Sequence, residues 1–179
     1  MLLRTGNLLI EPVDLLQLAL DIGRTAFTSE KESAFRKSIS TAYYALFHQL
    51  TQAASKRFAN AGDVVRHHTE RVFDHGVMKG VCDDLIKPRS SKSSALLARM
   101  LSASRDPRLV ELAATFVKLQ EARHRSDYDL HTAVTSEDMA EALRLLVRAW
   151  TNLDDIETDP DTQVFLTAIL MADRWKRVG

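Results

Sequence analysis

Across 179 residues, Lys plus Arg and Asp plus Glu each number 24, so the formal charge is zero, and 45% of the chain is hydrophobic. That length and apolar content suit one well-buried domain. With no net field to draw in nucleic acid or a membrane, any such binding must rest on a local patch. The single cysteine, Cys82, excludes an intramolecular disulfide and thiolate-rich metal sites and fits a reducing compartment. No uninterrupted apolar run approaches the roughly 18 residues of a spanning helix. The opening MLLRTGNLLIEPVD lacks a long apolar region and a cleavage pattern. The expectation is a soluble cytoplasmic protein with no membrane contact.

In chain order, residues 1–12 form an N-terminal arm, and Pro12 suits a first helical position. A first helix carries Leu15, Leu18 or Ala19, Ile22 and Ala26 on one side, weakened modestly by Gly23. Ser29 with Glu32 fits a capping box for the next helix. That helix holds the most informative stretch, Phe35 to Phe58, with neither Gly nor Pro over roughly seven turns. Phe35, Ile39, Ala42, Leu46, Leu50 and Ala53 form one apolar stripe, and Tyr43, Phe47, Ala54 and Phe58 widen it. Such a broad arc predicts a helix inside a bundle, touching several neighbours. The remaining narrow strip is polar: Lys37, Ser40 or Thr41, Tyr44 and His48. Tyr44 and His48 are i,i+4 neighbours. This strip is the first place to look for chemistry. Asn60-Ala61-Gly62 stops the helix.

Asp63 can cap a third helix with Val65, Thr69, Val72 and Phe73 on its stripe; Gly76 and Gly80 make its later part doubtful, and Pro88 ends it. KPRSSKSS at 87–94 reads as a solvated loop, or as a lip over a site. A short apolar run, 95–101, follows. Asp106-Pro107 is a strong helix start. Leu109, Leu112, Phe116 and Leu119 then step in threes and fours, and the next step lands on Arg123. An arginine on an apolar stripe must be paired, face a polar cavity, or meet a partner. Thr135 with Asp138 resembles another capping box, opening a helix with Met139, Leu143, Leu146, Trp150 and Leu153 on its stripe. Asp159-Pro160 opens a last helix bearing Phe165, Ile169, Ala172 and Trp175. No segment reads as a strand. The reading is all-α: an antiparallel up-and-down bundle of four to five core helices over 13–158, with an extra C-terminal helix in 159–179 as an extension of the same domain.

The common phosphate-cradle and zinc-hydrolase motifs are absent, and no nucleophile elbow appears. His67, His68 and His75 are close in sequence but lack thiolate or carboxylate partners at ligand spacing, so surface or capping roles suit them better than a metal site. What remains is the end of the Asp106 helix, EARHRSDYDLH at 121–131. By composition it fits a hydrated helix terminus, with Asp127 and Asp129 pairing with arginines or capping the end.

SISTAYYALFHQL (38–50) taken with EARHRSDYDL (121–130) resembles the HEPN superfamily, in particular its small bacterial and archaeal members. TSEDMAEALRLLVRAW (135–150) resembles the last core helix of that family, and the similarity spans roughly residues 13–155. The resemblance implies a helical bundle that commonly dimerises. In several branches it implies ribonuclease activity without a metal ion, in which an Arg and, a turn or so later, a His from each subunit converge on RNA. The imidazole would assist attack by the ribose 2′-hydroxyl while the Arg stabilises charge on phosphate, which is sound acid–base and electrostatic chemistry. Aligned with that motif, Arg123 takes the arginine position, but Tyr128 stands where the family has its His. A phenol with a reference pKa near 10 is a poor base at neutral pH. A second frame pairs Arg125 with His131, but Arg125 is about 200° around the helix from Arg123.

Three functions follow. The first is a dimeric nucleotide- or RNA-binding protein, with phosphate contacts from Arg123 and Arg125 and with Tyr128, Tyr44 and Ser40 lining the site. The second is a metal-independent endoribonuclease, the toxin of a toxin–antitoxin or defence pair, with Arg123 or Arg125 and His131 or His48 as catalytic residues and a nucleotidyltransferase-like antitoxin as partner. The third is a non-catalytic helical assembly module. None calls for a cofactor or metal.

Overall fold

The computed structural model describes residues 10–56, 73–86, 95–102 and 104–175, with backbone alone at 95, 96, 98 and 172–175. Its elements are α1 (Pro12–Ser29), α2 (Glu32–Ser55), α3 (His75–Ile86), α4 (Ala95–Met100), α5 (Pro107–Tyr128), α6 (Ser136–Ile156) and α7 (Pro160–Trp175). No strand occurs among the described residues. The chain is an all-α helical bundle, as its periodicities predict.

Helix α2 is the axis of the bundle. It packs against α1, α5, α6 and α7, which is what its broad apolar arc requires. Ile39, Ala42, Tyr43, Leu46, Leu50 and Ala54 are all buried, and they meet Leu109, Leu112, Phe116 and Leu119 of α5 and Met139, Leu146 and Leu153 of α6 in one continuous core. Trp150 packs against that core while remaining partly exposed. Phe165, Leu166, Ala168 and Ile169 of α7 are buried in the same core, and α7 also packs on α3 and α4.

Local chemistry sets the helix ends. Glu11 and Asp14 form a reciprocal capping box around Pro12 at the start of α1. Asp106 accepts a hydrogen bond from the Arg108 N–H ahead of α5, and Thr135 and Asp138 close the capping box foreseen for α6. The Ser29–Glu32 box does not form. Ser29 is instead the last residue of α1, Glu30 takes the left-handed conformation at φ 50°, and Lys31 is the N-cap of α2 without a side-chain cap. A two-residue turn leaves no room for a separate cap. The Glu32 carboxylate is engaged elsewhere, as shown below. Gly76 and Gly80 do not interrupt α3, because Met78, Val81, Cys82 and Leu85 supply a buried face that outweighs glycine's propensity cost. The stops foreseen at 60–62, the Asp63 cap and the 87–94 segment lie outside the described residues.

Gly23 contributes more than flexibility. A Cβ built there would stand 2.5 Å from Leu143 Cδ1 and 3.2 Å from Ser38 Oγ. The glycine thus marks a close approach of α1 to α2 and α6, and Ser38 nearby donates to the Ala19 carbonyl at 3.0 Å.

Candidate functional site

Arg123 comes to the surface at the end of the α5 stripe with its side chain 20% exposed. Its Nη2 donates to the Tyr44 hydroxyl at 2.8 Å and to the Tyr128 hydroxyl at 3.4 Å. Its guanidinium carbon lies 5.4 Å from the Tyr44 ring, 5.2 Å from Tyr128 and 5.9 Å from Tyr43, all within cation–π range. Asp127, one turn on, places Oδ2 2.8 Å from Nε. The buried Nε–H is not aimed at that carboxylate and makes no hydrogen bond, so the contact is an ion pair of opportunity rather than a bidentate clamp. Burial works against the Arg123 charge, but the Tyr44 hydrogen bond and Asp127 outweigh it, and its pKa is raised. Ser40, buried on α2, donates to the same Asp127 oxygen at 3.3 Å.

Behind Arg123 lies an aromatic cluster whose key member is His75, the first residue of α3. The Tyr43 hydroxyl and His75 Nδ1 are 2.6 Å apart, with the proton's direction set by the imidazole tautomer. The ring packs 4.1 Å from Phe47 and 6.0 Å from Tyr44, and Gln120 Nε2 donates to its carbonyl. Burial, then the nearby Arg123 charge, lower the His75 pKa. Burial drives the Tyr43 phenol well above its ordinary range, so it stays protonated. His48 contacts Phe47 edge-on at 5.3 Å. With Lys37, Thr41 and Tyr44 it lines a groove of about 400 Å³ along α1 and α2. The polar strip of α2 therefore does face one concavity, and Tyr44 spans from it to Arg123.

Arg125 and His131 are not brought together. Arg125 Nη2 pairs with Asp138 at 3.0 Å, across the helix from Arg123. His131 is exposed on the following turn, its backbone N–H held by Asp129 at 3.0 Å, and among the described residues no contact joins the two. Asp129 also accepts from the Thr132 N–H and hydroxyl. Arg144 and Arg148 each take a carboxylate, Glu141 and Glu111 respectively. His67 and His68 lie outside the described residues. Among the described residues no group of His, Cys, Asp and Glu is clustered so as to hold a metal ion, and no helix is long and apolar enough to cross a membrane.

Sequence reasoning missed two participants: His75, expected at the surface or in a cap but packed among Tyr43, Tyr44 and Phe47, and Arg36. Only 14% exposed, Arg36 sends Nη1 to the carbonyls of Ser126 at 3.0 Å and Asp129 at 2.9 Å and, more weakly, to that of Arg125 at 3.4 Å. Its Nη2 reaches the Thr132 carbonyl, and Nε and Nη2 both donate to Glu32 Oε1. The same Glu32 oxygen accepts from the Val134 N–H at 3.1 Å, and these donors hold its carboxyl below the usual range. One guanidinium thus satisfies the Ser126 carbonyl in the last turn of α5 and the Asp129 and Thr132 carbonyls just beyond it, and so fixes the backbone that presents Asp127 and Tyr128. The only local hint is the i,i+4 pair Glu32–Arg36; the carbonyl partners stand too far along the chain for spacing to reveal them.

No protein-family model, curated protein or solved structure matches the chain.

Proposed function

We propose that this protein binds RNA or nucleotides through a phosphate contact at Arg123, in keeping with its resemblance to the HEPN superfamily. The observation that supports this most is the guanidinium itself. It is part-buried, held by two tyrosine hydroxyls, flanked by three aromatic rings, and paired with Asp127 only through a misdirected Nε. Neutral hydroxyls hold an arginine in place without cancelling its charge, and an incoming phosphate can displace a poorly aligned carboxylate. Arg125 is a poorer phosphate ligand, since Asp138 already occupies its charge. The test is binding of purified, nucleic-acid-free protein to single-stranded RNA at low salt, for wild type and Arg123→Ala. Loss of binding in the variant is expected; absence of binding by a folded wild type removes this reading.

A metal-independent endoribonuclease is the second reading, and the Tyr43–His75 pair favours keeping it. Tyr43 connects the imidazole to the arginine: its hydroxyl meets His75, and its ring lies beside the guanidinium. In this reading His75 or His48 supplies the acid–base group, Tyr128 hydrogen-bonds substrate, and His131 is dispensable. RNA cleavage that survives EDTA, persists in His131→Ala and disappears in Arg123→Ala and in one of His75→Gln and His48→Gln would establish it. The homodimer and the nucleotidyltransferase-like antitoxin implied by the same resemblance belong to this proposal, as does the cytoplasmic setting; light scattering on the purified chain tests the dimer. Retained dimer with no RNA binding would favour the assembly module instead.

A further inference from the structure

A second concavity, which Arg123 does not line, opens on another side of α5. It measures about 660 Å³ and runs between α3 and α5, lined by Lys79, Gln120, Glu121, His124, Arg125 and Asp129. Its charges are already matched. Lys79 lies 2.9 Å from Asp83 and 3.5 Å from Glu121, Arg125 is paired with Asp138, and Asp129 is occupied by the 131–132 turn. A groove so neutralised gives little attraction to a second phosphate. What it offers instead is the exposed His124 imidazole and, deeper in the wall, the Gln120 Oε1, which has no hydrogen-bond partner while its Nε2 donates to the His75 carbonyl; these suit a neutral, planar ring.

Tyr128 connects this groove to Arg123. Its ring centroid is 5.0 Å from that of His124 and 5.2 Å from the Arg123 guanidinium carbon. It is also 63% exposed. A large aromatic left that open beside a cation forms a stacking platform, and platforms paired with cationic contacts are how single-stranded nucleic acids are held without groove readout.

Resting on the Arg123 reading, we infer that the His124–Tyr128 pair and the α3–α5 groove form a nucleobase subsite. It takes the base adjoining the phosphate that Arg123 holds, and so selects a single-stranded nucleotide segment over a bare phosphate. The site therefore has two parts, charge at Arg123 and stacking at His124 and Tyr128, which separate by substitution.

The experiment uses two fluorescently labelled probes of equal length and charge, a short oligoadenylate and an abasic ribose-phosphate oligomer. Anisotropy is read at low salt for wild type, Arg123→Ala, His124→Ala and His124→Phe, each checked for unchanged helicity. Wild type is expected to prefer the oligoadenylate. His124→Ala should weaken it about tenfold, equivalent to about 1.4 kcal/mol, while leaving the abasic probe unchanged, and His124→Phe should restore it. Arg123→Ala should weaken both probes. Equal wild-type binding of both probes that Arg123→Ala abolishes would overturn the subsite while leaving the phosphate contact standing. A tenfold loss on both probes in His124→Ala would overturn it as well. Binding of neither probe by wild type would remove both readings together.

Discussion

Arg123 on α5 and Tyr44 on α2 meet at 2.8 Å, guanidinium to phenol oxygen, and this contact joins the two segments that carry the family resemblance. Tyr44→Phe removes the acceptor and keeps the ring, so cation–π contact survives while the orientation of Nη2 is lost. The expected outcome is a small loss of stability, about 1 kcal/mol, seen as a lower urea midpoint at unchanged slope. Under the proposed phosphate contact, RNA affinity should fall by a larger factor than in Tyr128→Phe, because the Tyr128 hydroxyl is the more distant partner at 3.4 Å.

His75 gives the site a pH dependence whose sign is fixed by its surroundings. Its folded-state pKa is depressed by burial and by Arg123, with His48 acting in the same direction and Asp74 opposing. The unfolded chain therefore binds the proton first as pH falls. The stability contributed by neutral His75 is fully present above its unfolded value, about 6.5, and is lost as pH drops through the folded value. Urea unfolding at stepped pH is expected to show wild type weakening below that point. His75→Gln retains a hydrogen-bonding group for Tyr43 but cannot titrate, so its profile should be flatter in the same window. Parallel profiles would mean that His75 is not the responsible group.

Arg36 tests how the end of α5 is held. Substituting it by Met keeps much of the aliphatic packing but deserts the carbonyls of Ser126, Asp129 and Thr132 and strips Glu32 of its cation. Hydrogen bonds from a charged donor contribute more than neutral ones, and the part-buried Ser126 and Asp129 acceptors left behind add a smaller cost of their own. A loss of about 2–4 kcal/mol is expected in urea unfolding. Faster amide exchange confined to 125–134 would show that the loss is local.

The bundle was legible in the sequence because burial imposes periodicity, and periodicity survives in a linear string. The α2 arc, the α5 stripe and the caps at Asp106 and Thr135 all follow from contacts three or four residues apart. The exceptional status of Arg123 was legible for the same reason, as a charge where the stripe demanded an apolar group. The paired segments of the resemblance place Tyr44, Tyr128 and Ser40 around it, and the two tyrosines do meet it while Ser40 donates to its partner Asp127. Spacing alone could not bring them together, nor His75. Tyr44 is 79 residues away, and His75 starts a helix whose glycines obscured it. Arg36 works through backbone carbonyls about which side-chain spacing says nothing. Ser29–Glu32 misled because a capping motif on a two-residue turn competes with the preceding helix, and here that helix kept its last residue.

The C-terminal helix makes the sharpest stability prediction. Phe165 and Leu166 have no exposed surface, and Ala168 and Ile169 are 1% and 2% exposed, in a core shared with α2. Asp161 further ties the start of α7 to the segment just after α4, accepting from the Ser102 N–H at 2.9 Å and its hydroxyl at 3.1 Å. Full burial of each Phe, Leu or Ile contributes about 1.5–3 kcal/mol, and removing the helix also bares the surfaces it covers. Against a total stability of about 5–15 kcal/mol, deleting 160–179 should abolish cooperative unfolding rather than merely lower the midpoint. A truncated chain that stays helical, unfolds cooperatively and changes only its mass in solution would instead assign α7 to an interface between copies.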